Sequence, residues 1–299
     1  MRAHLTRRQA LAGLATVATL TACRNAIPNA VPHNTDSLDL TPVEDRYSAR
    51  VGMYALHLDS GASLEHRADT RFAMCSTFKT YAVARVLQLA ELGQRDLAET
   101  QPIAASDIVE NSPVTSAHVG RSMRLDELCS AALINSDNAA GNLLLRCIGG
   151  PPEITTFARS VGDDQSRLDR WETGLNSAAP GDPRDTTTPR ALTTGYREVL
   201  TGRVLTERTR EQMVGWMRQN ATSTKRFRAG LPAGWTSADK TGAGSYGSTN
   251  DAGLLYGPRG QRIIMAVLTR SRDDQPDAPP FNDAIADTVR LTLATFDRQ

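Results

Sequence analysis

The run Ile263-Ile264-Met265-Ala266-Val267-Leu268, near the C-terminus, constrains the fold of this chain most strongly because it is apolar throughout. A strand with one solvated face alternates apolar and polar residues, whereas a strand covered on both faces is continuously apolar. The run therefore predicts a central strand over 262–268 with packed layers on both sides. Two further strand patterns, over 237–243 and 250–256, precede it.

The N-terminal third of the chain contributes to the same sheet. Residues 45–59 predict the end of a helix followed by a strand, Gly61 predicts a turn, and 63–67 predict a second strand. Residues 281–298 predict a closing helix from their apolar spacing. We expect an α+β fold, an α/β sandwich plus an all-α domain, in which terminal helices flank a five-stranded, mostly antiparallel sheet.

The middle of the chain predicts a helical domain inserted into this sheet domain. We expect the α/β domain over 37–68 and 225–299, and the helical domain over 69–224. A ligand cleft is expected at the seam between the two, where such clefts are favoured.

Ser76 and Lys79 begin a helical pattern that ends before Gly93. Residues three apart share a helix face, so the two side chains are within reach of each other. A serine becomes a nucleophile when a base takes its proton. Lys79 can be that base if its pKa is lowered, which a second cation such as Lys240 would do. The helix N-terminus offers N–H groups to a developing oxyanion. The alternative is a helix cap and a solvated lysine.

A second polar fragment, Ser136-Asp137-Asn138, follows a helical pattern over 125–134. Such a turn is ordinary chemistry for a helix end. In the functional interpretation, Ser136 relays a proton to a leaving nitrogen and Asn138 hydrogen-bonds a substrate amide.

A third fragment, Lys240-Thr241-Gly242, opens the C-terminal strand segment. Lys240 is a cation that can hold a substrate carboxylate, and Gly242 lets a ligand approach the strand backbone closely. The alternative is a lysine that protects a sheet edge.

With a fourth fragment, Glu172-Thr173-Gly174-Leu175-Asn176, the chain resembles class A serine β-lactamases from about Leu38 to the C-terminus. The resemblance implies a β-lactamase/D,D-peptidase-like fold, no cofactor, and hydrolysis of penicillins and cephalosporins through a serine acyl-enzyme, which confers resistance. It also implies these roles: Ser76 as nucleophile, Lys79 as active-site lysine, Ser136 as proton relay, Asn138 as amide contact, Lys240, Thr241 and Arg226 as carboxylate anchors, Gly242 beside them, the N–H groups of Ser76 and Ala243 as oxyanion hole, and Arg170–Asp185 as a loop ion pair.

Glu172 separates a hydrolase from an enzyme that stays acylated. Glu172 and Asn176 are four residues apart, so one helical turn would let both hold one water. The segment 168–189 is rich in Gly, Pro, Asp and Thr and predicts a long functional loop of the omega type. Whether Lys79 or Glu172 is the acylation base stays open. The alternatives are a penicillin-binding D,D-peptidase and a non-catalytic lipoprotein that binds cell-wall fragments.

The N-terminus predicts export. Arg7 and Arg8 precede an apolar run over 10–22, which is typical of a signal peptide and too short for a membrane span. Residues 1–22 are the expected signal peptide, of the twin-arginine type, and 23–36 a tether. The run 20–23 resembles a lipoprotein box with Cys23 as the lipidated residue. We expect a cell-envelope lipoprotein, or otherwise a secreted or periplasmic protein.

Composition excludes several other functions. The 299 residues carry a formal net charge of +1, which gives no case for a nucleic-acid partner. The five histidines lack metal-ligand spacing, so no metal is expected.

No disulfide is expected, because Val83 and Gly244 stand where the family's partners of Cys129 and Cys75 would be. Nothing in the sequence indicates an obligate oligomer, and a monomer is expected.

Overall fold

The computed structural model describes residues 35–298, which lie within one unit, His33–Gln299. The strands are β1 (Thr35–Ser37), β2 (Ala49–His57), β3 (Ser63–His66), β4 (Phe72–Ala73), β5 (Thr100–Pro102), β6 (Ser122–Arg124), β7 (Thr186–Thr187), β8 (Thr236–Ala243), β9 (Thr249–Tyr256) and β10 (Arg262–Ser271). The helices are α1 (Thr41–Tyr47), α2 (Phe78–Glu91), α3 (Pro113–Ser116), α4 (Leu125–Ile134), α5 (Asn138–Ile148), α6 (Pro151–Ser160), α7 (Pro189–Thr201), α8 (Glu207–Arg218), α9 (Phe227–Gly230) and α10 (Asn282–Phe296).

The main sheet has the order β1-β3-β2-β10-β9-β8, and every neighbouring pair is antiparallel except β1 with β3. The five predicted strands are present, and β1 is a sixth, so the predicted strand number was one too low. The sequence placed Thr35 and Asp36 in the tether, because a three-residue polar strand has no apolar alternation. The rest of that tether lies outside the described residues.

The predicted central strand is β10, which is covered on both faces. Ile264, Ala266 and Leu268 pack into the core shared with the helices of the middle segment. Their neighbours Ile263, Met265 and Val267 pack into a second core, to which α1 and α10 also contribute. All six residues are at most 1% exposed, and each fully buried Ile, Leu, Val or Met side chain contributes roughly 1.5–3 kcal/mol. The strand therefore joins two apolar layers.

Helix α2 lies deeper than its sequence pattern predicted. Ten of its 14 residues are buried, including Lys79 and Thr80. A 3₁₀ turn, Cys75–Thr77, leads into it and places Ser76 immediately before the helix. Gly93, at φ +69°, follows the helix, which agrees with the predicted end. This burial determines the environment of Lys79.

The predicted long loop runs from the end of the α6 region to β7 and contains a 3₁₀ turn, Gly174–Ser177. Its two ends are joined by Arg170 and Asp185, whose Nε and Oδ2 atoms are 2.5 Å apart. Asp185 also accepts hydrogen bonds from the backbone N–H groups of Asp169 and Arg170. The buried Asp185 carboxylate thus closes the neck of the loop. Over the residues the structure describes, none of the helices has the length and apolar content of a membrane span.

Candidate active site

Ser76, Lys79 and Glu172 form one buried cluster. Lys79 Nζ donates to Ser76 Oγ at 3.0 Å and lies 3.0 Å from Glu172 Oε1. Ser76 Oγ in turn donates to Glu172 Oε1 at 3.1 Å. The serine hydroxyl therefore contacts two groups that can take its proton, a lysine from the helix that follows it and a glutamate from the long loop.

Lys79 is fully buried because helix α5 leaves room for it. A Cβ atom on Gly141 would lie 2.8 Å from Lys79 Cε, so a larger residue at this position would require the lysine side chain to move. Burial lowers the pKa of Lys79, while Glu172 acts in the opposite direction, and burial has the larger effect. The sequence predicted that Lys240 would lower this pKa, whereas burial is the main cause. A lowered pKa increases the fraction of Lys79 that is a neutral amine at a given pH, and the neutral amine is the form that can act as a base.

Ser136 connects the two lysines. Its backbone oxygen accepts from Lys79 Nζ at 2.8 Å, and its Oγ accepts from Lys240 Nζ at 2.9 Å. Burial, and next the nearby charge of Lys79, hold the pKa of Lys240 well below its ordinary value. The Ser136 hydroxyl thus lies beside Lys240, while the Ser136 backbone oxygen holds Lys79 in place.

The neighbours of Ser136 have separate tasks. Asn138 Oδ1 accepts from Lys79 Nζ at 2.6 Å, and Asn138 Nδ2 donates to the backbone oxygen of Glu110. Asp137 caps α5 by accepting from Ala140 N, and it also accepts from the N–H groups of Val114 and Thr115. Asp137 therefore fixes the turn that presents Ser136 and Asn138.

Glu172 is held by more than Asn176. Asn176 Nδ2 donates to Glu172 Oε2 at 2.6 Å, across the spacing that the sequence predicted to be one turn. Asn142 Oδ1 accepts from the Glu172 N–H at 2.9 Å, and Asn142 Nδ2 donates to the Glu172 backbone oxygen at 3.0 Å. Sequence reasoning missed Asn142, although it is four residues after Asn138 and shares its helix face.

Strand β8 supplies the opposite wall, with Thr241, Gly242 and Ala243 facing the cavity. The hydroxyls of Thr241 and Thr222 form a hydrogen bond, so Thr222 is a second residue that the sequence did not reveal. Arg226 lines the same wall. Its Nη1 donates to the backbone oxygens of Gly242 and Asn250, and its Nε donates to Asn282 Oδ1. Its Nη2 takes no part in these three bonds and can serve a ligand carboxylate.

These residues surround one cavity of about 750 Å³ between β8, the long loop and the α4–α5 turn, within the range of small-molecule sites. The lining residues are Ser76, Glu110, Asn111, Ser136, Asn138, Thr173, Gly174, Asn176, Ser177, Thr222, Arg226, Thr241, Gly242, Ala243, Gly244 and Ser245. Behind this surface lie Lys79, Glu172 and Lys240, which form hydrogen bonds with residues that line the cavity. All predicted substrate and catalytic residues therefore gather at one cleft.

Cys75, Cys129 and Cys147 are free thiols. Cys75 lies against β8 and the residue after it, because a Cβ atom on Gly242 would be 3.1 Å from the Cys75 Cβ and one on Gly244 would be 2.9 Å from the Cys75 sulfur. Burial raises the pKa of Cys75 to about 12, which makes it unreactive although it precedes Ser76. Within residues 35–298 no group of His, Cys, Asp or Glu side chains could hold a metal ion.

A serine paired with a buried lysine and a glutamate, at a cleft between a sheet and a helical layer, is the arrangement of a serine hydrolase. Residues 38–293 match the Beta-lactamase enzyme family. A β-lactamase of Streptomyces lavendulae is 46% identical over 261 residues, which cover 86% of this chain and 85% of the relative. The β-lactamase AST-1 of Nocardia asteroides is 44% identical over 296 residues, which cover 96% of this chain and 94% of the relative.

A solved structure agrees with these relatives. The last common ancestor of Gram-negative bacteria class A β-lactamase is 46% identical, with a TM-score of 0.82, over 86% of this chain and 97% of that one. The chain belongs to the β-lactamase enzyme family and is a class A serine β-lactamase.

Proposed function

We propose that the protein opens the β-lactam amide of penicillins and cephalosporins through an ester on Ser76. Ser76 Oγ attacks the lactam carbonyl carbon, and its proton passes to Lys79 or Glu172. The N–H groups of Ser76 and Ala243 stabilise the oxyanion. The C–N bond then breaks, Ser136 Oγ gives its proton to the leaving nitrogen beside Lys240, and the proton taken from Ser76 passes on to Ser136, which leaves Lys79 and Glu172 as they began.

Deacylation is the step that makes the protein a hydrolase. Glu172 takes a proton from a water that Asn176 helps to orient, and the resulting hydroxide attacks the ester carbonyl. The C–O bond to Ser76 breaks, Ser76 Oγ regains a proton, and the penicilloate-type acid leaves. A positioned base of this kind is worth about 10²–10⁴ in rate. Lys240, Thr241 and Arg226 anchor the substrate carboxylate during both steps.

The placement of Ser76 Oγ between Lys79 Nζ and Glu172 Oε1 carries this proposal, at 3.0 and 3.1 Å. A D,D-peptidase needs no such glutamate at its serine, and a non-catalytic cell-wall-binding lipoprotein needs neither partner. The glutamate contact therefore favours the hydrolase over both alternatives.

Two variants test the roles with nitrocefin and intact-protein mass spectrometry. Ser76→Ala should neither turn over nitrocefin nor gain the mass of a penicillin. Glu172→Ala should gain that mass and hold it, because the ester forms while its water lacks a base. An acyl adduct on Ser76→Ala, or turnover of benzylpenicillin by Glu172→Ala within tenfold of wild type, would contradict the assignment.

We also infer the cellular context from the N-terminal sequence, which lies outside the described residues. The protein is exported through its twin-arginine signal and is held at the cell envelope by a lipid on Cys23. We further propose that it is a monomer, because nothing in the sequence indicates an obligate oligomer. The signal pattern of 1–22 and the Leu20-Thr21-Ala22-Cys23 run support this proposal.

A further inference from the structure

A second cavity, of about 270 Å³, lies between the far half of the long loop and the start of the main sheet. It shares no lining residue with the active-site cavity. Its lining contains four arginines, Arg50, Arg71, Arg184 and Arg270, and one acidic residue, Asp182. These charges sum to +3, in a chain whose formal net charge is only +1. Positive charge is therefore concentrated at this cavity.

Arg50 and Arg270 are directly opposite each other in the ladder of β2 and β10. Opposite residues of an antiparallel pair have Cβ atoms about 4.5–5.5 Å apart, and like charges at such positions destabilise the sheet. Both side chains are half-buried, which limits screening by water and salt. Two like charges are therefore adjacent on the sheet where it lines the cavity.

Few anionic groups offset these charges. Arg50 forms no ion pair and no side-chain hydrogen bond with any residue in the described range, while Arg270 pairs with Asp274, a carboxylate that is 46% exposed. Asp182 is already paired with Arg184 at 2.8 Å. Arg71 donates to Gln165 and Thr186, which are neutral. Arg50 and Arg270 therefore keep donors for a further anion.

We propose that this cavity binds a small polyvalent oxyanion of the phosphate class. Guanidinium groups are planar and form paired hydrogen bonds to phosphate oxygens. The volume lies below the roughly 300–1,000 Å³ of sites for drug-sized ligands, so a second β-lactam does not suit it. Bound phosphate would neutralise the Arg50–Arg270 repulsion and connect the sheet to Arg184 on the long loop.

Phosphate binding is tested by calorimetric titration with inorganic phosphate at constant ionic strength, with chloride as the replaced anion. Arg50→Gln and Arg270→Gln should each weaken the cavity's phosphate binding at least tenfold. The matched control is Arg262→Gln. Arg262 is exposed, lies on β10 as Arg270 does, and pairs with Asp59 outside the cavity. Binding at the active site would persist in all three variants, so the difference between them reports the second cavity.

Stability and exchange give independent readouts. In phosphate-free buffer Arg50→Gln should have a Tm equal to or above that of wild type, and added phosphate should raise the Tm of wild type and Arg262→Gln more than that of Arg50→Gln. Phosphate should also slow amide hydrogen exchange over 178–184 in the wild type. Equal phosphate affinity in Arg50→Gln and Arg262→Gln would overturn the proposal. So would a Tm rise of the wild type that is as large with chloride as with phosphate.

Discussion

Lys79 has no exposed surface, yet it makes polar contacts of 2.6–3.0 Å with Ser76, Ser136, Asn138 and Glu172. The sequence predicted that Ser76 and Lys79 would share a helix face, because that follows from helical periodicity alone. It could not predict how deeply Lys79 is buried, because that depends on a glycine in another helix. The pKa of Lys79 is therefore a tertiary property of the site.

The pKa of Lys79 leads to a prediction about pH. Burial lowers it and Glu172 raises it, so Glu172→Gln should lower it further. In that variant Lys79 is the remaining base of the cluster, and acylation should accelerate about tenfold per pH unit until the neutral amine predominates. The inflection should lie below the ordinary lysine value of 10.5. Single-turnover acylation by nitrocefin, measured across pH, checks this; a rate independent of pH would exclude Lys79 as the base.

Gly141 gives a second prediction at this scale. Alanine is the better helix former by about 1 kcal/mol, so Gly141→Ala would stabilise an isolated helix. Here its Cβ atom would press on Lys79 Cε at 2.8 Å and displace the amine. A displacement near 1 Å can cost about 10²-fold in rate, so kcat/KM for benzylpenicillin should fall by 10–100-fold, as steady-state kinetics would report. Gly215→Ala in α8, where an added Cβ meets nothing within 4 Å, is the control and should keep wild-type activity.

At the scale of elements, β8 and the long loop form two walls of one cleft. The Ser245 N–H donates to the backbone oxygen of Asn176 at 3.0 Å and ties the walls together. The sequence predicted both elements from their composition and strand pattern. It could not predict this tie, because the two residues are distant in the chain and the bond uses backbone atoms, which every residue has. The width of the cleft therefore had to come from the structure.

That width sets the expected substrate range. A bulky oxyimino side chain must fit between β8 and the loop, so benzylpenicillin should have a higher kcat/KM than ceftazidime. Clavulanate carries the carboxylate that Lys240 and Thr241 would anchor, and it should inhibit.

In Gly244→Ala the added Cβ would lie 2.7 Å from the Asn176 oxygen, which forces the walls apart. The ceftazidime-to-benzylpenicillin ratio should rise in this variant. If the wild-type kcat/KM for ceftazidime equalled or exceeded that for benzylpenicillin, the distance between β8 and the loop would not limit the substrate range.

At the scale of the whole molecule, the continuous apolar run of β10 was enough to predict a sheet between two layers. The predicted strands with apolar residues, β2, β3, β8, β9 and β10, are all present. Strand β1 escaped prediction because its side chains are polar and its stability comes from parallel pairing with β3 and a 2.8 Å bond between the Thr35 and Ser63 hydroxyls. Long-range pairing of short polar segments leaves no periodic signal in a sequence.

The N-terminal sequence predicts where the whole protein resides. Its membrane attachment would rest on a lipid at Cys23, and loss of a lipid anchor removes most membrane affinity. Cys23→Ser should therefore move the protein from the membrane fraction to the soluble fraction, as measured by nitrocefin activity in fractionated cells. Cys147→Ser, which changes a partly buried thiol far along the chain, is the matched control and should stay with the membranes. If Cys23→Ser distributed like Cys147→Ser, attachment would not depend on lipidation of Cys23.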